Sequence, residues 1–209
     1  MKIKKRKFFK KIVFLFCFLL LGLGLYYLYH NYQILKQVHQ YETKVEKAIA
    51  AENITDYKEL ALAIIFTETK GDNDDPMQSS ESKSGLPGQI EDSQESIDQG
   101  VSYLAQAIKK ADQKDCDIWT AVQAYNFGLD YIDYVAENGK KNSLEIAEKY
   151  SSTVLAPQLG NEEQSRYRYL NLRAFFYNGG YLYHNGGNFY YAQLVKNNER
   201  KIKVTNFLF

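Results

Sequence analysis

Glu68 closes an apolar run, and the residues after it could complete an acid–base site. The run holds Leu60, Leu62, Ala63, Ile64, Ile65 and Phe66. A carboxyl beside Ile64 and Ile65 is partly desolvated, which lifts its pKa toward neutrality and suits it to general-acid work. The alternative is a solvated carboxylate at a helix end, and local sequence alone favours that, because most glutamates face water. Asp75 comes next, followed by Pro76, Met77, Gln78, Ser79 and Ser80. A second carboxylate there could activate water. Equally, Asp before Pro starts turns, and Asp72 and Asp74 make this an acidic loop in which Asp74 is the weaker candidate. Gln78 offers a donor and an acceptor to an amide-bearing ligand, and Ser79 and Ser80 add hydroxyls; all three also suit a plain polar turn. Much later comes Ala124-Tyr125-Asn126-Phe127-Gly128. Tyr125 can stack on a ring or bond the acid, Asn126 can cap or read an amide, and Gly128 permits a tight turn. Taken alone, that segment is also an ordinary helix end.

Helices must position these groups. An apolar-nearly-all-round segment over 60–67 predicts a helix at the centre of the fold that delivers Glu68 at its last turn, with Asp56 as its cap. Residues 71–92 read as a long loop, rich in Asp, Gly and Pro, of a length that is uncommon without a functional reason. Asp92 with Glu95 has the form of a capping box that opens a helix through Ile97, Val101, Leu104, Ala105 and Ile108. Asp117 starts a second buried helix over 118–125. Helices are expected over 131–137, 143–150 and 166–176, and a short final one over 190–196. Turns at 177–180 and 185–188 flank Tyr181-Leu182-Tyr183, a short strand or bridge. The fold class is mostly α.

The ordered set of Glu68-Thr69, DPMQSS and AYNxG resembles the goose-type lysozyme and lytic transglycosylase superfamily, over roughly residues 40–200. Within it, the run is similar to the bacterial lysozyme-like family of the CwlT muramidase type. The Gly-Leu that precedes Met-Gln in the superfamily is Asp-Pro here, which fits that branch better than the lytic transglycosylases. The resemblance implies a sugar cleft around one general acid, Glu68. It makes Asp75 a candidate second carboxylate that orients water. It also makes Met77, Gln78, Ser79, Ser80, Tyr125 and Asn126 substrate-binding candidates. Tyr191 resembles a late tyrosine of the family that touches the catalytic Glu.

The chain has 209 residues and a formal net charge of +1. That balance hides an asymmetry: residues 1–11 hold seven positive charges, and the remainder carries 19 basic and 25 acidic groups. The basic cluster abuts an uncharged run over 12–29, so it speaks for a membrane end and against a nucleic-acid-binding face. Eighteen helical residues span about 27 Å, close to a bilayer core of roughly 30 Å. Tyr26, Tyr27 and Tyr29 close the run where an outer aromatic belt would lie, and the basic flank predicts a cytoplasmic N-terminus. No small-residue site of the A-x-A kind follows, which favours an anchor over a cleaved signal. Cys17 in the run and Cys116 beyond it cannot pair within one chain, and Cys116 reads as a small buried hydrophobe. His30, His39 and His184 are not spaced as metal ligands.

The expectation is therefore a single-pass protein with a basic tail (1–11), an anchor (12–29), a juxtamembrane helix (30–50, its apolar period reaching 54), a lysozyme-like domain (51–200) and a tail (201–209). By resemblance it is an N-acetylmuramidase that cleaves β-1,4 bonds of peptidoglycan outside the membrane, facing a Gram-positive-like wall, with no cofactor and no metal. The expected partners are glycan strands and the membrane, with no nucleic acid. The rivals are a lytic transglycosylase that forms 1,6-anhydro ends and a catalytically weak glycan-binding scaffold.

Overall fold

A computed structural model describes residues 2–79 and 92–209, with side chains from residue 9 onward. The first helix, α1, runs over Lys2–His39. Its apolar side chains are exposed from Phe9 to Tyr29, whereas Ile34, Leu35 and Val38 are buried. One helix therefore carries both the apolar run and the first core contacts. The expected juxtamembrane helix is not continuous. It breaks at Gln40 and Tyr41, and α2 follows over Glu42–Ala51. Tyr41 is used at the break: its hydroxyl points at the carbonyls of Gly71 and Asn73, 3.4 and 3.3 Å away.

Helix α3, Lys58–Glu68, is the hub. Every residue from Leu60 to Phe66 is buried, so no face is left for water, and α2, α1 and the last helix all pack on it. Fully burying Leu60, Leu62, Ile64 and Ile65 contributes about 1.5–3 kcal/mol each. Asp56 does not cap this helix; it lies in a 3₁₀ turn, Thr55–Tyr57, that leads into it.

Helix α4, Ser93–Gln113, is amphipathic, with Ile97, Val101, Leu104 and Ile108 on its buried stripe. Asp92 caps it by accepting from Gln94 N at 2.9 Å. Helix α5, Ile118–Phe127, is capped by Asp117, which accepts from the Thr120 amide and hydroxyl and, across the fold, from Asn142 N. Helices α6 (Asp130–Glu137) and α7 (Leu144–Tyr150) follow. Helix α7 continues through a π turn, Ser151–Leu155, and a last α turn, Ala156–Gln158.

The expected helix over 166–176 is corrected in its first half. Arg166–Arg168 is a strand, β1, paired antiparallel with β2, Tyr181–Tyr183. The guanidinium of Arg168 lies over the Tyr181 ring at 4.4 Å, a cation–π contact that the extended backbone permits. Asn171 then starts the true helix, α8 (Leu172–Asn178), because its side chain accepts from the amides of Arg173 and Ala174. The final helix, α9, is longer than expected and covers Tyr191–Thr205. Val195 and Ile202 on its inner face are fully buried, which carries the helix into the segment read as a tail.

Candidate active site

Helix α3 ends at Glu68, half-buried, and α9 begins at Tyr191 beside it. The Tyr191 hydroxyl donates to Glu68 Oε1 at 2.5 Å. The Tyr125 ring, from α5, is stacked parallel to Tyr191 with centroids 6.3 Å apart, and Tyr103, from α4, meets Tyr125 edge-on at 5.6 Å. Burial, then the charges of Glu68 and Asp75, raise the Tyr125 phenol well above its ordinary value. Burial and then the Glu68 charge do the same to Tyr191. Both phenols thus stay protonated and serve as donors.

The tail of α3 is tied to the turn that follows. Thr69 Oγ1 donates to the Pro76 carbonyl at 2.9 Å. Asp75 is buried, and its Oδ1 accepts from Ser79 N at 3.0 Å and from Ser96 Oγ at 2.5 Å. Ser96, fully buried on α4, also accepts from Met77 N, and its carbonyl takes the Ser79 hydroxyl. One serine therefore holds both carboxylate and backbone of the DPMQS turn. Met77 packs its side chain into the core, and its carbonyl accepts from Tyr125 Oη at 3.0 Å. Gly100 makes this possible, since a Cβ there would lie 2.7 Å from Met77 Cβ and 2.8 Å from Tyr125 Oη. Gln78 is exposed, with φ of 48°, and its amide folds back onto the Asp75 carbonyl. A left-handed backbone at a non-glycine residue costs of order 1–3 kcal/mol, and such strain clusters at functional sites.

A cavity of about 340 Å³ opens beside this turn. Its walls include Gln78, Ser79, Tyr103, Tyr125, Asn126 and Gly128. Gly128 ends α5 at φ 89°, ψ 159°, a conformation essentially confined to glycine. The π turn after α7 adds Leu155 to the wall, while Ser151 at its start donates to the Gly186 carbonyl. Asn126 Oδ1 accepts from Asn188 N at 2.8 Å. Gln123, fully buried, donates to the Asn188 carbonyl and accepts from Ala192 N, so α5 holds the start of α9 and with it Tyr191.

Of the residues singled out from the sequence, Gln78, Ser79, Tyr125 and Asn126 thus meet at one cavity, and Tyr191 meets Glu68. Asp75 and Met77 support the turn from inside, and Ser80 lies outside the described residues. Sequence reasoning missed Ser96, Gly100 and Gln123. Their signal was position, because each falls on a stripe or run that is otherwise apolar. Among the described residues no group of three His, Cys, Asp or Glu side chains could hold a metal ion.

A family model described as lysozyme-like matches residues 35–199. The chain belongs to the lysozyme-like family. Pneumococcal vaccine antigen A of Streptococcus pneumoniae serotype 4 is 44% identical over 194 residues, which is 93% of each chain. The bifunctional muramidase/DL-endopeptidase CwlT of Bacillus subtilis is 33% identical over 123 residues, 59% of this chain and 36% of CwlT. A crystal structure of a lipoprotein-like protein of the NLP/P60 family from Staphylococcus aureus superposes with a TM-score of 0.71 at 35% identity. That match covers 78% of this chain and 52% of the other, so this lysozyme-like chain spans about half the length of that protein.

Proposed function

We propose that the chain is a membrane-anchored peptidoglycan N-acetylmuramidase that hydrolyses the β-1,4 bond between N-acetylmuramic acid and N-acetylglucosamine. The observation that carries this reading is Glu68, presented by a buried helix, bonded by Tyr191 and set among stacked tyrosines near a cavity edged with amides. The muramidase activity in the name of CwlT supports the same substrate. In this reaction Glu68 gives its proton to the glycosidic oxygen as the C1–O bond breaks, and water attacks the oxocarbenium-like carbon. Asp75 would accept the proton from that water. Gln78, Ser79, Ser80 and Asn126 would bond the acetamido groups, and Tyr125 would stack on a sugar face. The reaction as written calls on no metal or cofactor.

Anchoring falls to residues 12–29. The helix is long and apolar enough to cross a membrane, and none of its most apolar window is buried against the rest of the chain. The basic residues before it orient it with residues 31–209 outside, where wall glycan lies.

One observation favours a second reading, a lytic transglycosylase in which the sugar's own 6-hydroxyl attacks. Asp75 is buried and its Oδ1 is engaged by Ser79 and Ser96, which suits a turn anchor at least as well as a water-orienting base. Mass analysis of the ends released from purified wall separates the two. A hydrolase leaves reducing ends, and a transglycosylase leaves 1,6-anhydro ends lighter by one water.

A further inference from the structure

The lower end of α9 leaves an apolar segment exposed beside α1. Val204, Phe207 and Leu208 are 71%, 81% and 51% exposed. Phe209 turns back, stacking on His39 with centroids 4.4 Å apart and on Tyr32 at 5.7 Å. Between this segment and α1 lies a cavity of about 500 Å³, walled on one side by Tyr27, Leu28 and Tyr32 and on the other by Val204 and Leu208. Tyr27 and Leu28 belong to the same apolar run that reads as the membrane span. Tyr32 lies three residues past its end, about 4.5 Å along the helix, within the depth of a headgroup layer.

We propose that residues 204–209 form a second contact with the outer leaflet, the groove against Tyr27 and Leu28 holding the upper acyl chain of a phospholipid. The proposal rests on the reading of residues 12–29 as a membrane anchor. Continuity argues for lipid as the occupant, because one wall of the groove is the span itself. Exposed large apolar side chains beside a span are ordinary against lipid and costly against water. Charge argues the same way. Arg200 lines the rim of the groove and is exposed, placing a cationic group where a lipid phosphate would be, while the neighbouring Lys201 turns its ammonium inward over the Phe66 ring. The local carboxylates are engaged within the fold, Glu199 with Lys203 at 2.7 Å and Glu59 with Asn206 at 3.2 Å. Two attachments, one spanning and one interfacial, fix the tilt of the domain as well as its distance from the bilayer. The first packed turns of α1 and the inner face of α9 connect that contact directly to α3, and so to Glu68.

The test uses the full chain in vesicles of equal parts phosphatidylglycerol and phosphatidylcholine, with lipids brominated near the headgroup end of the acyl chain. The chain has one tryptophan, Trp119, so fluorescence added by Phe207→Trp is read against the unaltered chain. Phe207 is largely exposed, and the exchange leaves the core intact. The expected result is emission shifted to shorter wavelength and loss of most of the added fluorescence to the brominated lipid. Water-like emission without quenching overturns the proposal. Shifted emission without quenching, dependent on protein-to-lipid ratio, also overturns it, because the occupant is then a second copy of the chain. Leu20→Trp, inside the span, reports separately on the anchor: quenching there with none at Phe207→Trp rejects the second contact alone, and quenching at neither position rejects both.

Discussion

Tyr191 and Glu68 are 123 positions apart in sequence, yet the tyrosine hydroxyl lies 2.5 Å from Glu68 Oε1. The bond joins the first turn of α9 to the last turn of α3, and so fixes which way the carboxyl points. Tyr191→Phe keeps the ring stacked on Tyr125 and removes only the donor. A hydrogen bond to a charged group contributes about 1.5–3 kcal/mol. The expected loss in kcat is therefore about 10- to 100-fold, with a thermal midpoint lowered by several degrees and the fold retained. Turnover equal to wild type in that variant would show that the bond does not serve the reaction.

Gly100→Ala tests the packing beneath the site. The new Cβ meets Met77 and the Tyr125 hydroxyl at under 3 Å, and the Met77 contacts include its own Cβ, which cannot swing away. Overpacking of this kind costs typically about 1–3 kcal/mol. The expected outcome is a lowered denaturation midpoint together with reduced activity, since the DPMQ turn must shift. An unchanged midpoint would mean that α4 and the turn are not this close.

Asp75→Asn separates a water-orienting base from a turn anchor. As a base, Asp75 cannot be replaced by an amide, and kcat should fall by about 10²–10⁴ while glycan binding persists. As a turn anchor, Asn retains an acceptor for Ser79 and Ser96 and turnover stays close to wild type. Ser96→Ala supplies the comparison, because it releases the turn and removes one donor to Asp75 while keeping a carboxylate at position 75. Steady-state turnover on soluble glycan fragments, with binding measured separately, distinguishes the outcomes.

Stability should also depend on alkaline pH. The fold raises the phenols of Tyr125 and Tyr191 well above their ordinary value, chiefly by burial and then through the Glu68 charge, and Tyr190 is pushed up to about 12 by burial. A raised phenol pKa means that the fold favours the neutral form. That contribution is complete below the ordinary value of about 10 and is lost as pH climbs from there through the raised values. The denaturation midpoint should therefore fall above about pH 10, and less steeply in the Tyr125→Phe, Tyr191→Phe double variant. Tyrosinate absorbance rising at ordinary pH for all tyrosines, with the fold intact, would contradict it.

The features legible in the sequence are those that local chemistry dictates. Leu60 to Phe66 can only be a buried helix, and the carboxyl at its end follows. Asp92 and Asp117 announce helix starts because their short side chains reach the amides two and three residues on. Strand β1 was not legible. All three of its residues are exposed, so no alternation marks it, and its partner strand lies beyond an intervening helix, in the register Arg168↔Tyr181 and Tyr167↔Leu182. Ser96 and Gln123 were hidden for a different reason. A single polar residue on an apolar stripe looks like tolerance, and only the tertiary fold brings Asp75 to one and Asn188 to the other.

The most direct test of muramidase chemistry at Glu68 is mass analysis of the sugar ends released from purified peptidoglycan by the wild-type chain and by Glu68→Gln. The amide keeps the shape of the site and cannot donate the proton. Wild type is expected to release reducing N-acetylmuramic acid ends, and Glu68→Gln to release none above background. Equal release by both proteins would contradict the assignment of Glu68 as the acid.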